Sequence, residues 1–245
     1  MDKTAIVTGA SRGIGLGIAR RLATHGYRLT VSARDPQRLS GVAADLRALG
    51  AHEVIAVPGD MADPDIALRV AAAHGEQFES LDALILSAGM GTAGAIDNFP
   101  LRRFDKVVGV NLRAPLALLQ AVLPQLRRAA AANPGSGAKV IALASITGIY
   151  AERGLAVYGA TKAALVSLVE TFNVEESGNG VLATAVAPAY VDTDMAAWAY
   201  DTITANTMIK VDDIVEIVDA LLRLSATAVV SKVVIGRAGT DGRRA

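Results

Sequence analysis

Tyr158 and Lys162 stand four residues apart in Tyr158-Gly159-Ala160-Thr161-Lys162. On a helix that spacing puts both side chains on one face, within reach of each other. A phenol ordinarily titrates near pH 10, too high for acid–base work near neutrality. An ammonium one turn away stabilises the phenolate, and a drop of about two to three pH units corresponds to roughly 3–4 kcal/mol. Such a phenol could protonate a developing alkoxide or take the proton of a hydroxyl. Ser145 lies thirteen residues earlier, and its hydroxyl could hold the same oxygen. The plainer alternatives are an ordinary helix tyrosine and a strand-end serine that caps a turn.

A second group of residues suits a diphosphate. Thr8-Gly9-Ala10-Ser11-Arg12-Gly13-Ile14-Gly15 follows an apolar strand and opens a helical pattern. Gly9 permits a sharp turn, and Gly13 and Gly15 let backbone and helix approach a pyrophosphate closely. Amide dipoles at the helix start favour its charge, so Ser11, Arg12 and Ile14 border the same group. Roughly 20 residues past such glycines an acid usually holds a ribose 2′-hydroxyl. Here Ser32-Ala33-Arg34-Asp35 has no carboxylate at Ala33, and Arg34 follows. A guanidinium suits a 2′-phosphate, and Arg12 could reach the same group, which favours NADP(H). Asp35 either takes the ribose in a shifted register or caps the helix that begins at Pro36.

The elements that must position these groups alternate. Strands are expected at Thr4–Thr8, Arg28–Ala33, Val54–Pro58, Ala83–Ser87, Lys139–Ser145, Leu182–Ala187 and Val229–Ile235. Helices are expected at Ile14–His25, Pro36–Leu49, Pro64–Phe78, Leu112–Ala132, Ala156–Glu176 and Val211–Leu224, each with apolar residues at three- and four-residue spacing. Strands such as Val140-Ile141-Ala142-Leu143 are apolar throughout, as helices on both faces of a parallel sheet require. The class is α/β: a Rossmann-type, doubly wound parallel sheet of about seven strands, with ligands beyond the strand ends. Residues 1–245 are expected to form one such domain.

The ordered set Thr8–Gly15, Leu86-Ser87-Ala88-Gly89, Val110-Asn111, Ser145-Ile146-Thr147-Gly148 and Tyr158–Lys162 resembles the short-chain dehydrogenase/reductase family over nearly the whole chain. The resemblance implies an NADP(H)-dependent oxidoreductase, similar to the 3-oxoacyl reductases, with Tyr158 as acid/base, Ser145 on the substrate oxygen and Lys162 on the nicotinamide ribose. It implies that Asn111 holds a water linking Lys162 to solvent; a buried asparagine that only satisfies backbone groups is the rival. Asp60 and Met61 would contact adenine, although Asp60 could equally cap the next helix. Ser87, Ala88 and Gly89 would let the cofactor pass, while Pro188, Val191 and Thr193 border its nicotinamide. Reduction of a ketone and oxidation of a secondary alcohol are the same chemistry in opposite directions. The rival from another class is a catalytically idle NADP-binding regulator.

Some segments depart from the family pattern. Leu86-Ser87 replaces two asparagines, Ala189 replaces a glycine, and the end of the chain lacks the common Asp-Gly-Gly. Substrate choice would sit in a lid over about Asp194–Met208, with Met195 and Trp198 on one helical face beside Tyr200 and Ile203. An ordinary packed helix is the alternative there. Met90, Ile146 and Tyr150 would add apolar walls, and Arg153 could meet an anionic substrate.

The bulk composition narrows the partners. The 245 residues are 52% hydrophobic and 20% charged, with formal net charge +0 and no cysteine. That excludes disulfides, thiolate catalysis and cysteine-based metal sites, and no metal site is expected. Arg127-Arg128 and Arg243-Arg244 are isolated pairs, not the basic stripe of a nucleic-acid binder. Met1-Asp2-Lys3 leads straight into an apolar strand, unlike a signal peptide, and no apolar run reaches the ~18–20 residues of a membrane span. A soluble cytoplasmic protein acting on a small carbonyl or alcohol is expected. By resemblance it is a homo-oligomer, dimer or tetramer.

Overall fold

A computed structural model describes residues 2–201 and 203–243; the side chain of Trp198 falls outside that description, as does Arg244 of the terminal arginine pair. Seven strands run β1 (Thr4–Thr8), β2 (Arg28–Ala33), β3 (Glu53–Pro58), β4 (Ala83–Leu86), β5 (Ala138–Leu143), β6 (Val181–Pro188) and β7 (Lys232–Ile235). They form one sheet in the order β3-β2-β1-β4-β5-β6-β7, with every neighbouring pair parallel. The helices are α1 (Gly13–Thr24), α2 (Pro36–Ala48), α3 (Ile66–Gln77), α4 (Leu101–Val108), α5 (Ala114–Ala132), α6 (Ala156–Glu176) and α7 (Val211–Arg223).

Period-two alternation divides the core. Val7, Val31, Ile85, Ile141 and Val186 pack with apolar residues of α1, α2 and α7. Ile6, Leu84, Val140 and Ala185 point to the other face and join those of α3, α5 and α6. Each fully buried Leu or Ile contributes roughly 1.5–3 kcal/mol. Chain order reverses between β1 and β4, so the crevice beyond their carboxyl ends is the ligand position of such a sheet.

Four expectations need correction. Residues 101–108 form a helix that was not expected, although Leu101, Phe104, Val107 and Val108 recur at helical spacing; of these only Val107 is buried. Asn111 does not precede a helix: Gly109–Arg113 is a π-helical turn joining α4 to α5. Such turns insert one extra residue without breaking the helix. The resulting Leu101–Ala132 run of 32 residues includes a stretch of mean hydropathy 1.5, long and apolar enough by length and composition to cross a membrane. Reading the helix as beginning at Leu112 concealed that length. Leu118, Val122 and Leu126 of α5 are instead buried on the sheet beside α3. At the far edge β7 is shorter than expected, beginning at Lys232 rather than Val229.

His74 of α3 is fully buried, with Nδ1 2.9 Å from the Thr30 hydroxyl and Nε2 3.2 Å from the Ser80 carbonyl. The carbonyl can only accept, so Nε2 carries the proton and Nδ1 accepts from Thr30. Burial holds this imidazole down at about 4, against 6.5 ordinarily. The unfolded chain therefore binds the extra proton first, and stability is lost as pH falls through that window. The full effect is about 3 kcal/mol. Urea midpoints should fall as pH is lowered from 6.5 to 4, and His74→Gln should flatten that dependence; an unchanged slope in the variant would assign it to other groups.

Candidate active site

The crevice is a cleft of about 730 Å³ running from Arg34 and Asp60 at one end to Ser145, Tyr158 and Met195 at the other. Its floor is a close crossing of two loops. A Cβ on Gly9 would lie 2.9 Å from the backbone of Ala88, and one on Gly15 would lie 2.3 Å from the Gly9 carbonyl oxygen and 3.0 Å from the Ser87 hydroxyl. Gly9 also has φ +68°, a conformation other residues avoid. Ser87 therefore fits here because its small side chain lies directly over Gly15. The backbone of this loop is held by Thr8, which sequence reading missed: its hydroxyl accepts from the amides of both Ser87 and Ala88 at 3.1 Å and donates to the Ile85 carbonyl. A threonine in a strand reads as a strand former, and nothing local shows that its hydroxyl serves a loop 79 residues away.

No side chain caps α1, whose first turn also lacks an acid. By contrast Asp35 caps α2, with Oδ1 3.0 Å from the Arg38 amide. Capping was one of two expectations for Asp35, and it leaves Arg34, exposed on the cleft rim, as the strand-end side chain. Arg12 departs from expectation: its Nη1 is 3.2 Å from Asp194, across the cleft at the root of the lid. Asp60 both lines the cleft and accepts from the Ala62 amide at 3.0 Å. Lys106, 3.6 Å from Asp60, and Arg103 bring α4 to the same end, a contribution invisible without that helix. The uncapped α1 amides, the cradle with no room for a Cβ, and the buried Ser32 hydroxyl, which lines the cleft without a hydrogen-bond partner, together fit an adenine dinucleotide.

At the other end, α6 lies tightly on the turn after β5. A Cβ on Gly148 would lie 2.7 Å from the Lys162 backbone, and one on Gly159 would lie 2.8 Å from the Thr147 carbonyl. This contact sets the Ser145 hydroxyl facing Tyr158, where it favours charge on the phenol oxygen. Ser145 also accepts from the Thr147 amide at 3.3 Å, so it caps the turn as well as facing Tyr158. Lys162 is buried, with Nζ donating to the Leu143 carbonyl at 2.6 Å and 5.7 Å from the centre of the Tyr158 ring. Burial lowers it to about 8.

Lys162 alone does not lower Tyr158. Burial pushes the phenol up to about 12, outweighing the hydrogen bond from Ser145, which acts in the opposite sense. The ammonium is turned onto a carbonyl and the enclosed site withholds solvent from the phenolate.

Asn111 bonds both ways to the Met90 backbone, accepting at 2.8 Å and donating at 3.1 Å, and donates to Thr161 at 3.1 Å. This is the backbone-satisfying arrangement that the sequence left as an alternative. The lid is not one helix: Ala197–Ala199 and Ala205–Thr207 are short 3₁₀ turns. Met195 lines the cleft and reaches Gly91, but Tyr200 turns outward to Asp192 at 3.0 Å. Ile203 packs on a small cluster of Ala196, Ala199 and Met208. Of the expected walls Met90 lines the cleft, whereas Ile146 is fully buried beneath it, and Tyr150 and Arg153 are not among its lining residues; Leu155 is. Ser11, Gly13, Ile14, Met61, Gly89, Pro188, Val191 and Thr193 all border the cleft.

Residues 3–203 match the family model for short chain dehydrogenases. The chain belongs to the short-chain dehydrogenase family. It is 37% identical over 189 residues to the rhamnolipids biosynthesis 3-oxoacyl-acyl-carrier-protein reductase of Pseudomonas aeruginosa, covering 76% of this chain and 72% of that protein. It is 33% identical over 204 residues to the 2-(R)-hydroxypropyl-CoM dehydrogenase of Xanthobacter autotrophicus, covering 82% and 79%. Among solved structures, an alcohol dehydrogenase from Thermococcus sibiricus complexed with 5-hydroxy-NADP superposes with TM-score 0.86 at 28% identity, over 98% of this chain and 97% of that one.

Replacing Thr8 by valine keeps the strand but leaves two loop amides without their acceptor. The cost should be about 1–3 kcal/mol, read as a lower urea midpoint together with weaker dinucleotide binding. Unchanged values for both would show that the loop does not depend on this hydroxyl.

Proposed function

We propose that the chain reduces a ketone to a secondary alcohol with NADP(H), Tyr158 giving the proton. The observation that carries this reading is a buried phenol, faced by Ser145 and backed by Lys162, at the end of a cleft whose other end fits a dinucleotide. The cofactor, when bound, supplies the hydride. The chain's residues do the rest. Tyr158, held protonated at neutral pH by its burial, is poised to donate as charge develops on the substrate oxygen. Ser145 donates to that oxygen and fixes its distance from the phenol. Lys162 spends one of its three N–H groups on Leu143, leaving two for ribose hydroxyls. Asn111 secures the Met90 loop at the mouth of the site.

The cofactor preference rests on Arg34 together with the occupation of Asp35 as a helix cap. A guanidinium at the rim pairs with a 2′-phosphate, and Arg12 joins it by leaving Asp194. The complex of the Thermococcus enzyme with 5-hydroxy-NADP supports this reading. The substrate half of the cleft is lined by Met90, Leu155, Ala189, Tyr190 and Met195, which suits an apolar or amphipathic ketone. Likeness to a 3-oxoacyl reductase makes 3-oxoacyl thioesters the first class to try. Alcohol oxidation uses the same residues in reverse, and likeness to a 2-(R)-hydroxypropyl-CoM dehydrogenase keeps that direction in view.

Tyr158→Phe should lower turnover by roughly 100- to 10,000-fold while NADPH affinity stays within about threefold, checked by fluorescence titration; normal turnover would overturn the role of the phenol. Arg34→Ala should weaken NADPH by roughly 10- to 100-fold, as loss of a charge-assisted contact does, and leave NADH nearly unchanged. Equal losses for both cofactors would remove Arg34 from the 2′-phosphate.

A further inference from the structure

Ser145 is more constrained than a serine that merely faces the substrate. A hydroxyl has one proton to give and two lone pairs with which to accept. The Thr147 amide donates to Ser145 Oγ at 3.3 Å, and the Thr147 hydroxyl lies 3.0 Å from the same atom. Both residues are buried at the cleft wall, each with 7% of its surface exposed. If Thr147 donates through its hydroxyl as well as its amide, both lone pairs of Ser145 are taken. Its single proton is then left to the one side on which Tyr158 and the oxygen that Tyr158 protonates both lie. The backbone around Thr147 is itself fixed, since its carbonyl lies under Gly159, with no room for a side chain between them.

We propose that Thr147 is a positioning residue for the reaction, its hydroxyl locking Ser145 as a donor in a one-way chain from Thr147 through Ser145 to the Tyr158 and substrate oxygens. The inference rests on the proposed roles of Tyr158 and Ser145 and adds a third hydroxyl on the cleft lining, which acts through Ser145. Its effect follows from polarisation. A hydroxyl that accepts a hydrogen bond becomes a stronger donor through its own proton. Ser145 so polarised favours charge on the phenol oxygen and on a developing alkoxide. Without Thr147 Oγ1, Ser145 can turn its proton away to the vacated neighbour position, and the charged form loses its partner part of the time. The neighbouring Ile146, fully buried with no polar group, cannot substitute.

Thr147→Val matches the shape of the side chain and removes only the donor. The expected result is a roughly 3- to 10-fold loss in kcat, the size of one neutral hydrogen bond, with KM for NADPH unchanged. In alcohol oxidation, where rate rises as Tyr158 loses its proton, the limb of the pH profile should move to higher pH by roughly half to one pH unit. Thr147→Ser should restore both kcat and the position of the limb. A purely structural role would lower the melting temperature without moving that limb. If the valine variant folds poorly, Thr147→Ala with the same serine rescue provides the comparison. A pH limb unmoved in both Thr147→Val and Thr147→Ala, while Tyr158→Phe abolishes turnover, overturns the proposal and leaves the role of Tyr158 standing. Full turnover by Tyr158→Phe removes the reading on which it rests.

Discussion

The close contact of α6 with the turn after β5 is the constraint on which the site depends. Gly148 and Gly159 are the two places where the surfaces meet, and neither has room for a Cβ. Because they meet so closely, Ser145 at the end of a strand and Tyr158 in the first turn of a helix face each other across the cleft. The same contact carries Lys162 into the interior, where the Leu143 carbonyl receives it. A helix set even one methyl group further out would separate all three. The dinucleotide end obeys the same rule with different residues, since Gly9, Gly15 and Ala88 cross within van der Waals contact.

Burial at this contact has an electrostatic consequence. It raises the phenol to about 12 and lowers the ammonium to about 8, each toward its neutral form. A tyrosine in that condition is a proton donor held ready, so charge on its oxygen must be stabilised by the groups that face it. Ser145 is the group that does so in the structure, which is why its orientation matters more than a surface serine's would. The simple picture of an ammonium lowering a phenol one helical turn away omits the cost of removing both from water.

Much of the fold was legible in the residues because its signals are local. β1 and β2 run over Thr4–Thr8 and Arg28–Ala33 as the apolar pattern indicates, and α6 spans Ala156–Glu176. The glycine loop and the Tyr/Lys pair could be named because spacing alone carries their geometry. What escaped depends on the third dimension. α4 is an exception, since Leu101, Phe104, Val107 and Val108 recur at helical spacing, and with it went Arg103 and Lys106. Thr8 and Arg12 find partners 79 and 182 residues away, and no window of sequence holds both ends of such a contact. The spacing of Met195 and Trp198 offered a helical face for the lid, yet Asp192 draws the Tyr200 hydroxyl outward and short turns form instead.

In the proposed reaction hydride comes from a nicotinamide cofactor in this cleft and the proton from the chain. NADPH deuterated at the transferable position of C4 tests this most directly, incubated with a panel of short ketones, cyclic ketones and 3-oxoacyl thioesters. The prediction is a secondary alcohol carrying deuterium on the carbinol carbon, with the hydroxyl proton drawn from solvent through the protein. Product that carries no label at carbon, or a chain that neither oxidises NADPH with any carbonyl nor reduces NADP with any secondary alcohol, would contradict it.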